Sequence, residues 1–226
     1  MLDSLVRIKA DETYHSSQWG EHSMVLAADR HWQLRVGLYT RSSEHIYSFP
    51  FHLMGAVVGK RSLEADLYRL PPEHDGDVFA PSAPAVFAGH RTYGPGEVFT
   101  VDSRREAFDV RIAEPVVALK FITTPFMRLQ WTFDRQTLKA TQAIASNPLD
   151  SELVTICLTL KAMKRTGSDA LLDRLSRHPA HFVRWAAIQG LGAVNAEKAV
   201  ERLKQSLTDE HPHIRRAAAK HLALSK

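Results

Sequence analysis

The sequence predicts an α+β multidomain protein in which a β-sandwich or barrel precedes a short α-helical repeat array. Three observations carry this expectation. Residues 23–130 hold short alternating runs, "WQLRVGLYT", "EADLYRL", "EVFTVDS" and "FDVRIAEPVVALKFI", rich in Val, Phe, Tyr and Ile and punctuated by Gly and Pro. Closely spaced strands with no helical pattern between them fit a sandwich or barrel. From residue 136 to 226 the apolar period lengthens from two to between three and four, and one unit occurs twice. "LLDRL" at 171–175 matches "AVERL" at 199–203, and "FVRWAAIQGL" at 182–191 matches "HIRRAAAKHL" at 213–222, an internal helical repeat.

Residues 1–22 form the first expected element, a segment whose run "MLDSLVRIKA" reads as a short helix covering an open sheet edge. The β domain follows over 23–130. Within it "PPEHDGDVFAPSAPAVFAGH", from Pro71, reads as a long connection lying mobile over the barrel mouth. In the helical part, the alanines at 186, 187, 217 and 218 let neighbouring helices approach closely, while Val183 and Ile214 plug the seam.

Composition restricts the function classes. The 226 residues carry 29 Lys plus Arg against 25 Asp plus Glu, a formal charge of +4. The excess lies in the tail: residues 1–135 hold 15 basic against 17 acidic groups, and residues 136–226 hold 14 against 8. The tail's basic residues are interleaved with acidic ones along helices, which predicts no specific nucleic-acid partner. Cys157, the single cysteine, lies in the apolar run "LVTICLTLKAM" and reads as a buried thiol in a reducing, cytoplasmic setting. No membrane span and no signal peptide are expected. Gly-rich phosphate loops, serine nucleophile elbows and CxxC pairs are missing from the sequence, and no catalytic residue can be named.

"HPAHFVRWAAIQGLG" and "DEHPHIRRAAAKHLA" resemble HEAT-type repeats, in which a turn leads into a helix beginning Val-Arg-x-x-Ala-Ala. "NPLDSELVTICLTLKAM" looks like a weaker copy ahead of them. The resemblance implies a module that docks a partner protein, and arginines 184 and 215 that bridge successive turns. His178, His181, His211 and His213 recur at the repeat turns, where a polar role at the helix start suffices.

The run "SMVLAADRHWQLRVGLYTRSSEHIYSFPFHLMGAVVGKRSLEADLYRL", with the later "RTYGPGEVFTVDSRREAFDVRIAEPVVALKF", resembles the cupin superfamily, and within it the branch of thiol dioxygenase-like proteins. Gly59 matches the glycine closing the first cupin motif, and Pro95-Gly96 matches the turn of the second. The resemblance covers residues 23–123 and departs at the metal. Tyr47 and Phe49 stand at the two histidine positions of the first motif, and Phe108 falls near the third. A shifted register offers His45, Tyr47, His52 and Gly59, and His90 is a further histidine in reach of a barrel mouth. Period two, however, points 45, 47, 49 and 51 to one face and His52 to the other.

The expectation is a barrel without cofactor or metal whose aromatic interior, Tyr47, Phe49, Tyr93 and Phe108, with Arg35 and His45 as polar groups, packs as core or takes a small-molecule ligand. Such a chain is a metal-free pseudo-enzyme joined to a HEAT-like module, a small-molecule-binding or protein-interaction scaffold. The alternative is a cupin-fold biosynthetic enzyme acting on a small molecule, either metal-independent or with a rearranged site. Cupin sheets often pair, so the resemblance allows a homodimer, with Trp19 or Trp131 as candidates for the junction.

Overall fold

The computed structural model describes residues 22–224. The helix expected over 1–22 therefore lies, but for His22, outside the described residues. The chain divides into two compact units, Met1–Ile144 and Ala145–Lys226.

The first unit is built of strands β1 (Ser23–Ala28), β2 (Trp32–Tyr39), β3 (Ile46–Tyr47), β4 (Leu53–Val58), β5 (Leu63–Arg69), β6 (Val86–Tyr93), β7 (Val98–Val101), β8 (Glu106–Arg111), β9 (Val116–Thr123), β10 (Leu129–Phe133) and β11 (Ala140–Ala145). They form a five-stranded sheet ordered β1-β2-β9-β4-β7 and two three-stranded sheets, β6-β5-β8 and β11-β10-β3. Leu53, Val57, Phe99, Val101 and Val116 of the first sheet meet Leu63, Ala65, Tyr93 and Phe108 of the second in one buried cluster. The expected sandwich thus has its inner face defined by the odd positions of β5 and β9's even ones.

The two glycine turns do what their residues suggest. Gly59 (φ 100°) and Gly96 (φ 80°) occupy left-handed conformations, which a residue with a Cβ adopts only at a cost. Gly96 donates its N–H to the carbonyl of Val57 at 2.9 Å and so ties the β6–β7 turn to β4. A second set of fully buried side chains, Ile46, Trp131 and Phe133, fills the space at β3 and β10. Trp131, read as a junction candidate, is wholly enclosed and donates Nε1–H to the carbonyl of Asp75 at 3.2 Å.

Two expectations need correction. Helices begin at Pro148 and not at 136, because "ATQAIA" at 140–145 forms β11. Its Thr, Gln and Ala residues give a weak strand signal that only pairing makes good. The segment after Pro71 is also not a free lid. "VFAGHRTY" at its end is β6, Ala83 and Ala85 are buried, and Ser82 and Ala85 donate to the carbonyls of Ala140 and Leu138 at 2.8 Å each.

In the second unit, α1 (Pro148–Met163) starts with Asn147 accepting the N–H of Leu149, and Pro148 sits in the first turn where no N–H is needed. α2 (Asp169–Leu175), α3 (His181–Val194), α4 (Ala196–Gln205) and α5 (Pro212–Leu224) follow, with a 3₁₀ turn over Ser206–Thr208. Cys157, Leu172, Leu175, Val183, Ala187, Leu191 and Ala199 make the core. Val183, Ile214, Ala187 and Ala218 are at most 1% exposed, which places the small and β-branched repeat residues at the seam. No helix among the described residues is long and apolar enough to cross a membrane.

Candidate functional site

Tyr93, Phe99 and Phe108 pack as a ring cluster at the centre of the sandwich. Phe99 and Phe108 stack with centroids 4.9 Å apart and planes 9° apart, and Tyr93 lies 5.3 Å from Phe99. Gly55 of β4 makes this possible: a Cβ there would stand 2.2 Å from Cζ of Phe99. Phe49 packs against the same cluster and stacks on Phe51 at 5.7 Å. Tyr47 is half-buried and meets exposed His45 edge-on at 6.3 Å.

The metal that a cupin resemblance implies does not fit these residues. Phe49 and Phe108 offer no lone pair, and Phe108 is 4% exposed against Phe99 with no donor in place of its ring. The shifted register fares no better. His52 is exposed and stacks on Phe126 at 4.5 Å, whereas Nδ1 of His90 bonds to Asp66 at 3.0 Å. His45, His52 and His90 are not brought together, and among the described residues the one group with metal-ligand spacing lies elsewhere, in the helical unit.

Arg35 sits on the inner face of the other sheet. It faces Lys120 directly across β2 and β9, and the same face carries the pairs Gln33–Ile122, Gly37–Ala118 and Tyr39–Val116. Nε of Arg35 donates to Gln33 at 2.8 Å. The Lys120 ammonium lies 4.9 Å from the Tyr39 ring centroid and passes over Gly37, where a Cβ would come within 2.8 Å of Nζ. Burial, and then Arg35, pull the Lys120 ammonium below its ordinary pKa. Burial pushes the Tyr39 phenol up to about 12. Among the described residues no carboxylate forms an ion pair with Arg35 or Lys120. Two cations and a neutral phenol therefore share one half-buried patch.

The opposite face of the three-stranded sheet carries a second polar cluster that sequence reading missed. Asp66 of β5 lies between His90 of β6 and Asp109 of β8 in one cross-strand row. Asp66 is 1% exposed and accepts from Nε of Arg111 at 2.6 Å as well as from His90; burial raises its carboxyl, but these bonds outweigh it and hold it below the usual range. Asp109 is raised by burial, against the pull of Arg135, whose Nη2 donates to Oδ1 at 2.9 Å. Arg135 also donates from Nε and Nη2 to the carbonyl of Ser43. Each buried carboxylate thus has its own guanidinium, and the cluster is charge-satisfied structure. A further cleft of about 380 Å³ is lined by His74, Asp75, Asp77, Arg104, Phe126 and Arg128.

In the helical unit the repeat arginines behave alike. Nη1 of Arg184 donates to the carbonyls of His178 and Pro179 at 2.9 and 2.8 Å, and Nη1 of Arg215 donates to those of Asp209 and Glu210 at 2.7 and 2.9 Å. Arg184 reaches further, giving Nε and Nη2 to the Asp209 carboxylate at 3.1 and 2.7 Å, so one repeat is clamped to the next. Residues 168–226 match HEAT repeats. The matched segment contains α2 to α5, and its paired Arg-to-carbonyl contacts are two copies of one device.

No curated protein sequence matches this chain. Among solved structures it is similar to hydroquinone 1,2-dioxygenase from Sphingomonas sp. TTNP3 with 4-hydroxybenzoate bound, at 11% identity and a TM-score of 0.38 over 49% of this chain and 70% of that one. It is similar to KdgF from Halomonas sp. at 11% identity and 0.33, over 50% and 90%. A cupin superfamily protein from Desulfitobacterium hafniense DCB-2 matches at 12% and 0.30, over 49% and 83%.

Proposed function

We propose that the chain is a binding protein whose cupin-like sandwich, working without a metal, takes a small anionic molecule at Arg35 and Lys120, while its HEAT repeats engage a partner protein. The observation that carries this reading is the cation pair on the inner face. Like charges set directly opposite each other repel, and partial burial adds to the cost. A carboxylate or phosphate between them would turn repulsion into two charge-assisted hydrogen bonds, and Arg35 offers the planar fork that such groups match. Gln33, already bonded to Arg35, and Tyr39, under the Lys120 ammonium, are the polar groups at hand to complete the contacts, and Phe49 packs on the same buried cluster as Tyr39. The buried thiol of Cys157 suits a reducing cytoplasm. Arg177, Arg184 and Lys198 are engaged by Asp173, Asp209 and Asp169, and Arg215 by backbone carbonyls, which favours a protein partner over a nucleic acid.

The test is thermal unfolding of the purified chain with a panel of small carboxylates and phosphate esters. Stabilisation by at least one of them, lost in both Arg35→Met and Lys120→Met, is expected. A panel that leaves the wild type unmoved, or a response that both variants keep, would overturn the reading. Recovery of the ligand chemically unchanged separates binding from turnover.

A further inference from the structure

His181 opens α3, His211 immediately precedes α5, and His213 is the second residue of α5. α3 and α5 are the equivalent helices of consecutive repeats, so three imidazoles from two repeats meet at one seam. The His181 and His211 rings are parallel, with centroids 3.6 Å apart and planes 5° apart. His213 stands edge-on to both, at 6.3 and 5.2 Å. One ring nitrogen from each lies within 4.8 Å of the others.

We propose that His181, His211 and His213 form a transition-metal site that joins the starts of α3 and α5. Three imidazoles with no carboxylate among them are the donor set of zinc, nickel or copper, and not of magnesium or calcium. Two of the rings are buried and His213 is half-buried, which leaves the solvent side for a water as fourth ligand, as in an open tetrahedral site. Metal–nitrogen bonds of about 2.1 Å require donor atoms roughly 3.4 Å apart, and each lone pair lies in its ring plane, so the site closes by rotation of His213 together with tilting of the parallel His181 and His211 rings out of their stack. Arg216 stands three residues beyond His213 along α5. The helix starts and the neighbouring arginine repel cations, so only a metal with high affinity for imidazole qualifies. Binding has a local cost as well. Nδ1 of His211 accepts the N–H of His213 at 3.2 Å, and ligation through Nε2 would move that ring's proton to Nδ1 and exchange this long cap bond for a coordinate bond.

The full chain, stripped with chelator, is titrated with Co²⁺ and then with Zn²⁺ as competitor. About one equivalent of Co²⁺ should give the strong visible bands of a four-coordinate site, and Zn²⁺ should displace it. His181→Phe keeps a flat ring in the stack while removing its donors; His213→Ala removes the half-buried ligand. Each should weaken binding at least about tenfold. An independent readout needs no variant: Zn²⁺ should shift the imidazole nitrogen resonances of these three histidines together. Absence of four-coordinate bands, unchanged affinity in both variants, or shifts confined to other histidines would overturn the proposal.

Discussion

Arg35 and Lys120 lie directly opposite each other on adjacent antiparallel strands, with both side chains on the inner face of the sandwich. Lys120 is held there by the Tyr39 ring and by the missing side chain at Gly37. Two cations so placed cost the ligand-free chain stability, which the proposed anion would offset.

Replacing Lys120 with Met should therefore make the ligand-free chain more stable. The aliphatic stem is retained and the repulsion removed, for a gain of about 0.5–1 kcal/mol and a rise of a few degrees in melting temperature. Calorimetry at neutral pH and low salt checks this. A drop in melting temperature would mean that the attraction of the Tyr39 ring outweighs the repulsion from Arg35 and the cost of burial.

Alkaline titration should report Tyr39. Its phenol is raised from 10 to about 12, so between those values the unfolded chain has lost a proton that the folded chain retains. Stability from this group is fully present below pH 10 and is lost as pH rises through 12, by about 2 kcal/mol. Lys120 acts in the other sense: its folded pKa is depressed, so its contribution improves as pH rises towards 10.5. Phenolate absorbance against pH should show a late-titrating component that Tyr39→Phe removes, beside that of Tyr68, which burial and then Asp66 also raise.

Two glycine-to-alanine changes should differ sharply. At Gly55 the new Cβ meets the Phe99 ring, which is fixed between Tyr93 and Phe108, and overpacking should cost roughly 1–3 kcal/mol. At Gly37 the new Cβ clashes only with the far end of Lys120 and lies at an ordinary 3.8 Å from the His22 carbonyl. That change should cost less than about 1 kcal/mol and act chiefly on the anion response, because the ammonium is displaced. Denaturant unfolding of both variants makes the comparison.

Arg184 and Arg215 occupy equivalent repeat positions but should not be equivalent in energy. Arg184 is 5% exposed and its loss removes the charged partner of Asp209, which keeps the His211 N–H as a donor, and a donor from each of two carbonyls, so Arg184→Met should destabilise by about 3 kcal/mol. Arg215 is exposed and bonds only to carbonyls, so Arg215→Met should cost under about 1 kcal/mol. Equal costs, read from chemical denaturation, would contradict the clamp.

The two-part architecture was legible because hydrophobic period is local. Alternation in "EADLYRL" and the repeated "VRWAA" and "IRRAA" can be read without knowing what they touch. β11 was not legible, since "ATQAIA" lacks the β-branched density of the other strands and owes its form to neighbours. Arg35 was singled out from sequence, but Lys120, in "VVALKFI", was not: only register across β2 and β9 sets the two face to face. Asp66 and Asp109 escaped for the same reason. Tyr93 and Phe108 fit pocket walls or core equally well in the sequence, and only the structure shows them packed in one ring cluster with Phe99.

Arg135 joins segments far apart along the chain, bonding the carbonyl of Ser43 and the carboxylate of Asp109 from a position 92 and 26 residues away. Contacts with such long loops form late on the way to the native state. The arginine then acts as a latch on a nearly finished sandwich. Weakening it should leave the rate of folding almost untouched and be felt in how fast the chain comes undone.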